Sequence, residues 1–325
     1  MTGHVFVTRL IPAAGLDRVR RFCAEANLPL DVWPDKLPPP HATLCERARG
    51  AIGVLTTIND RIDTTFLDAA GESLRVISQM AVGVDNIDVP AARARKIPVG
   101  NTPGVLTETT ADLTMALLLA SARRLYEGTR FIEAGQWVTW EPTALLGIDL
   151  PGATLGIIGF GRIGRAVAKR AQAFEMRVLA YSRDLTAEEA RTAGVEAVSL
   201  DRLLAESDFV SLHCPLTPET RGLINAETLA KMKPTARLIN ASRGPVVNTA
   251  ALIEALSQGV IAAAALDVTD PEPLPAQHPL MHLSNCIVVP HVGSATVGTR
   301  DKMATIAAEN LIAGLRGEPL RHSVG

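Results

Sequence analysis

Short runs of apolar residues alternate along this chain with longer stretches in which apolar side chains recur every three or four positions. The short runs are typical of buried parallel strands, and the longer stretches are typical of amphipathic helices. Because the alternation continues through both halves, it predicts an α/β protein with parallel sheets. The predicted strands are Val5–Thr8, Leu30–Trp33, Ile52–Thr56, Arg75–Met80 and Ile97–Val99 in the first half, and Thr154–Ile158, Val178–Tyr181, Phe209–His213, Arg237–Asn240, Ile261–Leu266 and Ile287–Val289 in the second.

The helical periodicity predicts one long helical stretch, Glu108 to Ala134, between the two halves. A segment with no periodicity follows it and carries Trp137 and Trp140, an arrangement typical of a surface that contacts a partner. The shorter predicted helices are Ala13–Glu25, His41–Arg47, Asp63–Ala69, Val89–Arg95, Arg165–Phe174, Ala187–Ala193 and Ala250–Ser257.

A glycine-rich loop joins the strand Thr154–Ile158 to the next predicted helix. Gly159, Gly161 and Gly164 have the spacing that allows a tight turn, a close approach of a pyrophosphate to the backbone, and close packing of helix on strand. Since helix N-termini bind phosphate through free N–H groups, Arg162 and Ile163 join this predicted dinucleotide site.

The end of the next strand bears on the choice of dinucleotide. A site specific for NAD usually places Asp or Glu there to bind the ribose 2′-hydroxyl, and this chain has Ser182 and Arg183. A hydroxyl and a guanidinium would bind a 2′-phosphate, so the sequence predicts NADPH, with NADH as a weaker alternative. In the other interpretation Arg183 is a solvated loop residue and Asp184 binds the ribose.

Composition adds limits to this picture. The chain has 325 residues, which favours about two domains, and its net charge of −2 gives no indication of a nucleic-acid or membrane partner. The four cysteines are scattered without metal-binding spacing, and no secretory signal or membrane-spanning run is evident. We therefore expect a cytoplasmic protein without a metal centre.

Three polar residues follow three successive strands of the second half: Arg243, Glu272 and His291. Ligands of open α/β sheets bind beyond the carboxyl ends of strands, so these residues are the candidate catalytic set of a dehydrogenase. His291 would protonate a carbonyl oxygen, Glu272 would orient the imidazole and favour its charged form, and Arg243 would bind a carboxylate. Taken singly, they could instead be a capping histidine, a solvated acid and a structural arginine.

These segments resemble the D-2-hydroxyacid dehydrogenase family over nearly the whole chain. The motifs that carry the resemblance are Gly159–Gly164, His213–Thr217, Asn240–Asn248, Ala265–Val268 with Glu272-Pro273, and Pro290–Ser294. Within the family, Leu266–Leu274, His291–Thr296 and Ala313–Pro319 are most similar to the glyoxylate and hydroxypyruvate reductases.

The resemblance implies two Rossmann or flavodoxin-like domains: a discontinuous substrate domain (1–99 and 287–325) and a dinucleotide-binding domain (100–286). It implies a homodimer formed through the coenzyme domain, in which Trp140 enters the partner's active site or, in the other interpretation, only anchors the interface. It further assigns substrate contacts to Val82, Gly83 and Ser294, and cofactor contacts to Pro215, Ala241, Asp267 and Gly293.

The expected activity is the NADPH-dependent reduction of small 2-oxo acids, with glyoxylate and hydroxypyruvate as the leading substrates. Two alternatives stay open on the sequence. One is another member of the family, such as a D-lactate, phosphoglycerate or phosphite dehydrogenase. The other is a nucleotide-sensing protein similar to the dinucleotide-dependent corepressors, which can keep the same three residues.

Overall fold

A computed structural model describes residues 3–324, and the chain divides into two compact α/β units, Met1–Leu106 with Ala295–Gly325, and Thr107–Ser294. Both units are built on parallel sheets, as the sequence predicted. The predicted boundaries after residues 99 and 286 were placed too early. Val105 and Leu106 pack on the core of the first unit, and the boundary after 286 would cut a strand that pairs within the second.

The first unit has a five-stranded sheet, in which every pairing is parallel. Elements are numbered in order along the whole chain. Its strands are β1 (His4–Val7), β2 (Leu30–Val32), β3 (Ala51–Thr56), β4 (Val76–Gln79) and β5 (Val99–Gly100), and its helices are α1 (Ala13–Glu25), α2 (His41–Ala48), α3 (Thr64–Ala70), α4 (Val89–Ala94) and α12 (Val297–Arg316). The strand order β2-β1-β3-β4-β5 is that of flavodoxin-like sheets.

The second unit has a seven-stranded parallel sheet with the order β12-β11-β10-β9-β6-β7-β8. This is the Rossmann order with one additional edge strand. Its strands are β6 (Thr154–Ile158), β7 (Arg177–Tyr181), β8 (Glu196–Ala197), β9 (Phe209–Leu212), β10 (Arg237–Asn240), β11 (Ala263–Leu266) and β12 (Cys286–Val288), and its helices are α5 (Thr107–Ala122), α6 (Leu125–Glu133), α7 (Arg162–Ala173), α8 (Ala187–Thr192), α9 (Leu200–Glu206), α10 (Ala226–Ala230) and α11 (Thr249–Ser257).

Each sheet has a topological switch point, where consecutive connections leave in opposite directions. In the second unit it lies between β6 and β9, and in the first between β1 and β3. Ligands of open α/β sheets bind in the crevice at such points. In the first unit, however, Asp60 fills that position: its buried carboxylate accepts hydrogen bonds from Thr8 Oγ1 (2.6 Å), which follows β1, and from Thr57 N (2.9 Å), which follows β3.

The long stretch predicted over Glu108–Ala134 is helical, but the structure divides it into α5 and α6. Arg124 adopts a left-handed conformation (φ 52°) that no helix can continue through, and its guanidinium pairs with Glu127 at 2.9 Å. The predicted start of α7 was three residues late. The helix begins at Arg162, so the glycine loop runs into it without an intervening turn.

Within residues 3–324, no helix is both long and apolar enough to cross a bilayer. The four cysteines all lie among these residues, and each is a buried free thiol.

Candidate functional site

The glycine loop after β6 lies at the switch point of the second unit. Gly159 has φ 95°, and a Cβ there would collide with the backbone of His213 and Cys214, which follow β9. A Cβ on Gly164 would collide with the carbonyl of Gly159. In contrast, a Cβ on Gly161 would meet nothing within 4 Å. Two glycines are therefore required by the fold, while the third leaves an open approach to the backbone.

That open approach leads to the N-terminus of α7. Gly161 is its N-cap and supplies no side-chain hydrogen bond. In the described part of the chain no acceptor pairs with the N–H groups of Arg162, Ile163 and Gly164. Uncapped N–H groups and the positive end of the helix dipole suit a pyrophosphate. The residues present therefore fit a dinucleotide.

Ser182 and Arg183 follow β7, as predicted for a site that distinguishes the two dinucleotides. The Arg183 side chain is 84% exposed and lies 3.5 Å from the carboxylate of Asp184. A pair this exposed is worth little, so the guanidinium can turn toward a ligand. Both interpretations made from the sequence remain compatible with this geometry.

Glu272 and His291 meet at adjoining strand ends, where the sequence placed them. The distance between His291 Nδ1 and Glu272 Oε1 is 2.6 Å, and Thr269 N donates to Glu272 Oε2 at 3.3 Å. Burial raises the pKa of the Glu272 carboxyl, but the hydrogen bond and charge of His291 and the charge of Arg243 outweigh burial and hold the pKa below its ordinary value. The carboxylate is thus charged and placed to pair with an imidazolium.

Asp267 holds the backbone of His291 and of the two residues that follow it. Its carboxylate accepts hydrogen bonds from Val292 N (2.6 Å) and Gly293 N (2.9 Å), and its carbonyl accepts one from His291 N (2.8 Å). His291 itself has φ 52°, a left-handed conformation that costs about 1–3 kcal/mol in a residue other than glycine. These bonds offset that strain and fix the direction of the imidazole.

Asp267 was predicted to bind the nicotinamide carboxamide, and that role stays a prediction. Burial raises the pKa of Asp267, although hydrogen bonds from Val292 and Gly293 and the charge of His291 oppose this. The sequence offered no indication of its bonds to the histidine loop, because they join residues that are 25 or more positions apart.

Arg243 follows β10 and is oriented by Asn240, a residue that sequence reasoning did not select. The buried Asn240 amide donates to the carbonyl of Arg243 at 3.0 Å and accepts from Ser242 N at 3.0 Å. Arg243 Nη1 donates to the carbonyl of Ser242 at 2.9 Å. Asparagine followed by serine at a strand end is a turn signal that could have identified the hydrogen bonds of Asn240.

The remaining predicted residues are distributed over both units. Ala241 is buried directly after β10, and Pro215 is exposed after β9. Trp140 is 79% exposed, between α6 and β6. Val82 and Gly83 belong to the first unit, in the loop after β4, and Ser294 is the last residue of the second unit.

His213, beside Gly159, has no charged role. Burial lowers the pKa of its imidazole to about 4, and Nε2 lies 2.8 Å from Ser211 Oγ. It is therefore a neutral histidine directly after β9.

Comparisons with known proteins agree with this geometry. Residues 115–293 match the family model of the D-isomer specific 2-hydroxyacid dehydrogenase NAD binding domain. A glyoxylate reductase of Korarchaeum cryptofilum is 49% identical over 98% of this chain and 94% of its own length. A glyoxylate reductase/hydroxypyruvate reductase of Homo sapiens is 48% identical over 97% of this chain and 96% of its own.

A solved structure extends the similarity to the fold. The NADPH-dependent glyoxylate/hydroxypyruvate reductase of Sinorhizobium meliloti, in complex with NADP and malonate, superimposes with a TM-score of 0.85. It is 31% identical, and the match covers all of this chain and 97% of that one.

Proposed function

Because the chain belongs to the D-isomer specific 2-hydroxyacid dehydrogenases, we propose that it reduces glyoxylate and hydroxypyruvate with NADPH. The observation that carries this proposal is the 2.6 Å contact between His291 and Glu272, with the charge of Arg243 acting on the same carboxylate. The names of the relatives support the choice of substrates.

The proposed roles follow from the local contacts. Glu272 occupies Nδ1 of His291, which leaves Nε2 to donate a proton to the carbonyl oxygen of the substrate. Arg243 would bind the carboxylate and polarise the carbonyl. When bound, NADPH supplies the hydride, and the glycine loop, the N-terminus of α7, Ser182 and Arg183 would hold its phosphates.

A two-by-two assay tests the function. Initial rates are measured for NADPH and NADH against glyoxylate and hydroxypyruvate, and we expect the highest kcat/KM with NADPH. Pyruvate and phosphite serve as comparison substrates, and faster turnover of either would assign the chain to another activity of the family. Tight NADPH binding without turnover of any of these substrates would instead favour a nucleotide sensor.

The cofactor preference is tested by a double variant, Ser182→Asp with Arg183→Ala. The new carboxylate would repel a 2′-phosphate and bind a ribose hydroxyl, so the ratio of kcat/KM for NADPH to that for NADH is expected to fall by about tenfold or more. Arg191→Ala, which removes an exposed cation from α8, is the control for charge alone. A double variant with the ratio of the wild type would refute the role of this strand end.

The pH dependence tests the pairing of Glu272 with His291. Since the pKa of Glu272 lies below its ordinary value, its carboxylate stays charged from weakly acidic pH upward and favours a protonated imidazole. Reduction consumes that proton, so the rate is expected to fall as the pH rises. In Glu272→Gln this dependence of the rate on pH should change, because a neutral amide stabilises imidazolium less than a carboxylate does. Rates at pH 5–10 measure this, with Glu254→Gln on α11 as control; coinciding profiles would contradict the pairing.

The exposed apolar side chains of the second unit support a homodimer. Trp137, Val138 and Trp140 are 64%, 86% and 79% exposed, and Leu125, Ile132 and Leu146 are also exposed. A cluster of this size in one segment is typical of an interface. The particle mass in solution, measured by light scattering, tests this assembly.

A further inference from the structure

The loop after β4 presents three successive peptide groups whose carbonyls are all bonded to the first unit. Thr102 N donates to Ala81 O at 2.9 Å, Asn101 Nδ2 donates to Val82 O at 2.8 Å, and Gln79 Nε2 donates to Gly83 O at 3.2 Å. In a trans peptide the N–H points away from the C=O. The N–H groups of Val82, Gly83 and Val84 are therefore directed away from these donors.

Those three N–H groups have no acceptor among residues 3–324, and their residues are only partly buried. Neighbouring N–H groups without an acceptor are available to bind an anionic oxygen. Val82 and Gly83 are already the residues expected to bind the carboxylate of a 2-oxo acid.

A chain of side-chain amides sets the geometry of this loop. Asn86 Nδ2 donates to Thr57 O at 3.0 Å and to Asp60 O at 2.7 Å. Both partners are carbonyls that can only accept, so Asn86 must direct its oxygen the other way, and that oxygen accepts from Gln79 Nε2 at 2.7 Å. One amide hydrogen of Gln79 is thus donated to Asn86, and the second is donated to Gly83 O. The orientation of each amide is thus determined by the one before it.

The series of hydrogen bonds begins at Asp60, whose side chain is itself held by several hydrogen bonds. Asp60 is 2% exposed, and its Oδ2 accepts hydrogen bonds from Thr56 Oγ1, Thr57 N and Thr57 Oγ1 at 2.9–3.1 Å, in addition to Thr8 Oγ1. Gln79 is fully buried at the end of β4, directly opposite Thr56 in the sheet. The Gln79 side chain therefore holds Gly83 from a buried position at the end of a strand.

We propose that Gln79 and Asn86 are positioning residues that hold the Val82–Val84 peptide groups in place for the carboxylate of the 2-oxo acid. The inference rests on the proposed function, because a carboxylate substrate gives these N–H groups their role. Neither side chain needs to touch the substrate. Each acts by fixing the carbonyl side of the loop.

The isosteric variants Gln79→Glu and Asn86→Asp test this. Each replaces an NH₂ group by an oxygen that faces carbonyl or amide oxygens, so the loop must move. We expect KM for glyoxylate to rise about tenfold while kcat and NADPH affinity stay within about threefold of the wild type. In Gln79→Glu the increase in KM should diminish toward acid pH, where a protonated carboxyl regains one donor.

Asn285→Asp is the matched control. The Asn285 amide also donates to two carbonyls, those of Leu256 and Ala262, but it belongs to the second unit. It should lower the melting temperature without changing KM. Gln79→Met, which removes the donors without adding an opposing acceptor, serves if Gln79→Glu does not fold.

The outcomes separate the two proposals. Folded Gln79 and Asn86 variants with the KM of the wild type would overturn the positioning role and leave the reductase activity standing. Equal increases in KM in Asn285→Asp would also overturn it. A wild-type protein that reduces no 2-oxo acid would remove the proposed function, and this inference with it.

Discussion

Replacing His291 by asparagine is expected to lower kcat for glyoxylate reduction by about 10²–10⁴-fold, the contribution typical of a general acid. Asparagine tolerates the left-handed backbone at this position and can still donate to Glu272 from nearly the place of Nδ1. Asparagine has no acidic group at the place of the His291 Nε2, so it cannot release a proton there. The variant therefore isolates proton donation from the architecture of the loop.

The measurement pairs steady-state rates with NADPH binding, followed by fluorescence titration. Binding should persist, since the glycine loop and the start of α7 are untouched. His282→Asn, at the end of a short turn in the same unit, is the control for loss of an imidazole and should retain activity. An active His291→Asn protein would assign proton donation to another group. Loss of both turnover and NADPH binding would indicate misfolding, and His291→Gln would then repeat the test.

Replacing Arg243 by lysine is expected to lower kcat/KM by about 10²–10³-fold, through both a higher KM and a lower kcat. Lysine keeps the positive charge but loses the planar fork that binds a carboxylate with two parallel hydrogen bonds. Because Asn240 and Ser242 hold the backbone of this turn, the substitution leaves the turn itself in place. The effect then reports on the side chain alone.

Arg202→Lys is the matched control, because Arg202 is also bonded to carboxylates but lies on α9 at the surface. It should leave kcat/KM within about threefold of the wild type. A KM for glyoxylate unchanged by Arg243→Lys would count against an anchoring role. In that case the guanidinium would act on Glu272 rather than on the substrate.

The elements predicted best are those whose signals are local. Thr154–Ile158 and Ala13–Glu25 were predicted with their observed bounds. The helical stretch over Glu108–Ala134 was predicted without its break, because its apolar periodicity continues across Arg124, and the break depends on that residue's backbone conformation. β8 was missed because two residues are too short to produce a pattern.

The candidate site shows the same division. Arg243, Glu272 and His291 could be selected because each follows a strand, and parallel strands end at one edge of a sheet. The supporting contacts could not, since Asp267 with Gly293 and Gln79 with Asn86 pair through geometry that no spacing encodes. Buried amides and carboxylates that orient a neighbour carry no pattern of their own in the chain.

The carboxylate of Asp60 has a consequence for how the two sheets differ. A flavodoxin-like crevice ordinarily receives the anionic group of a bound nucleotide, and here a tethered anion of the protein already occupies the equivalent position between β1 and β3. Because this carboxylate is part of the chain, its occupancy of the position does not depend on the concentration of any metabolite. The same kind of sheet edge is therefore accessible at Gly161 in the second unit and filled by a buried side chain in the first.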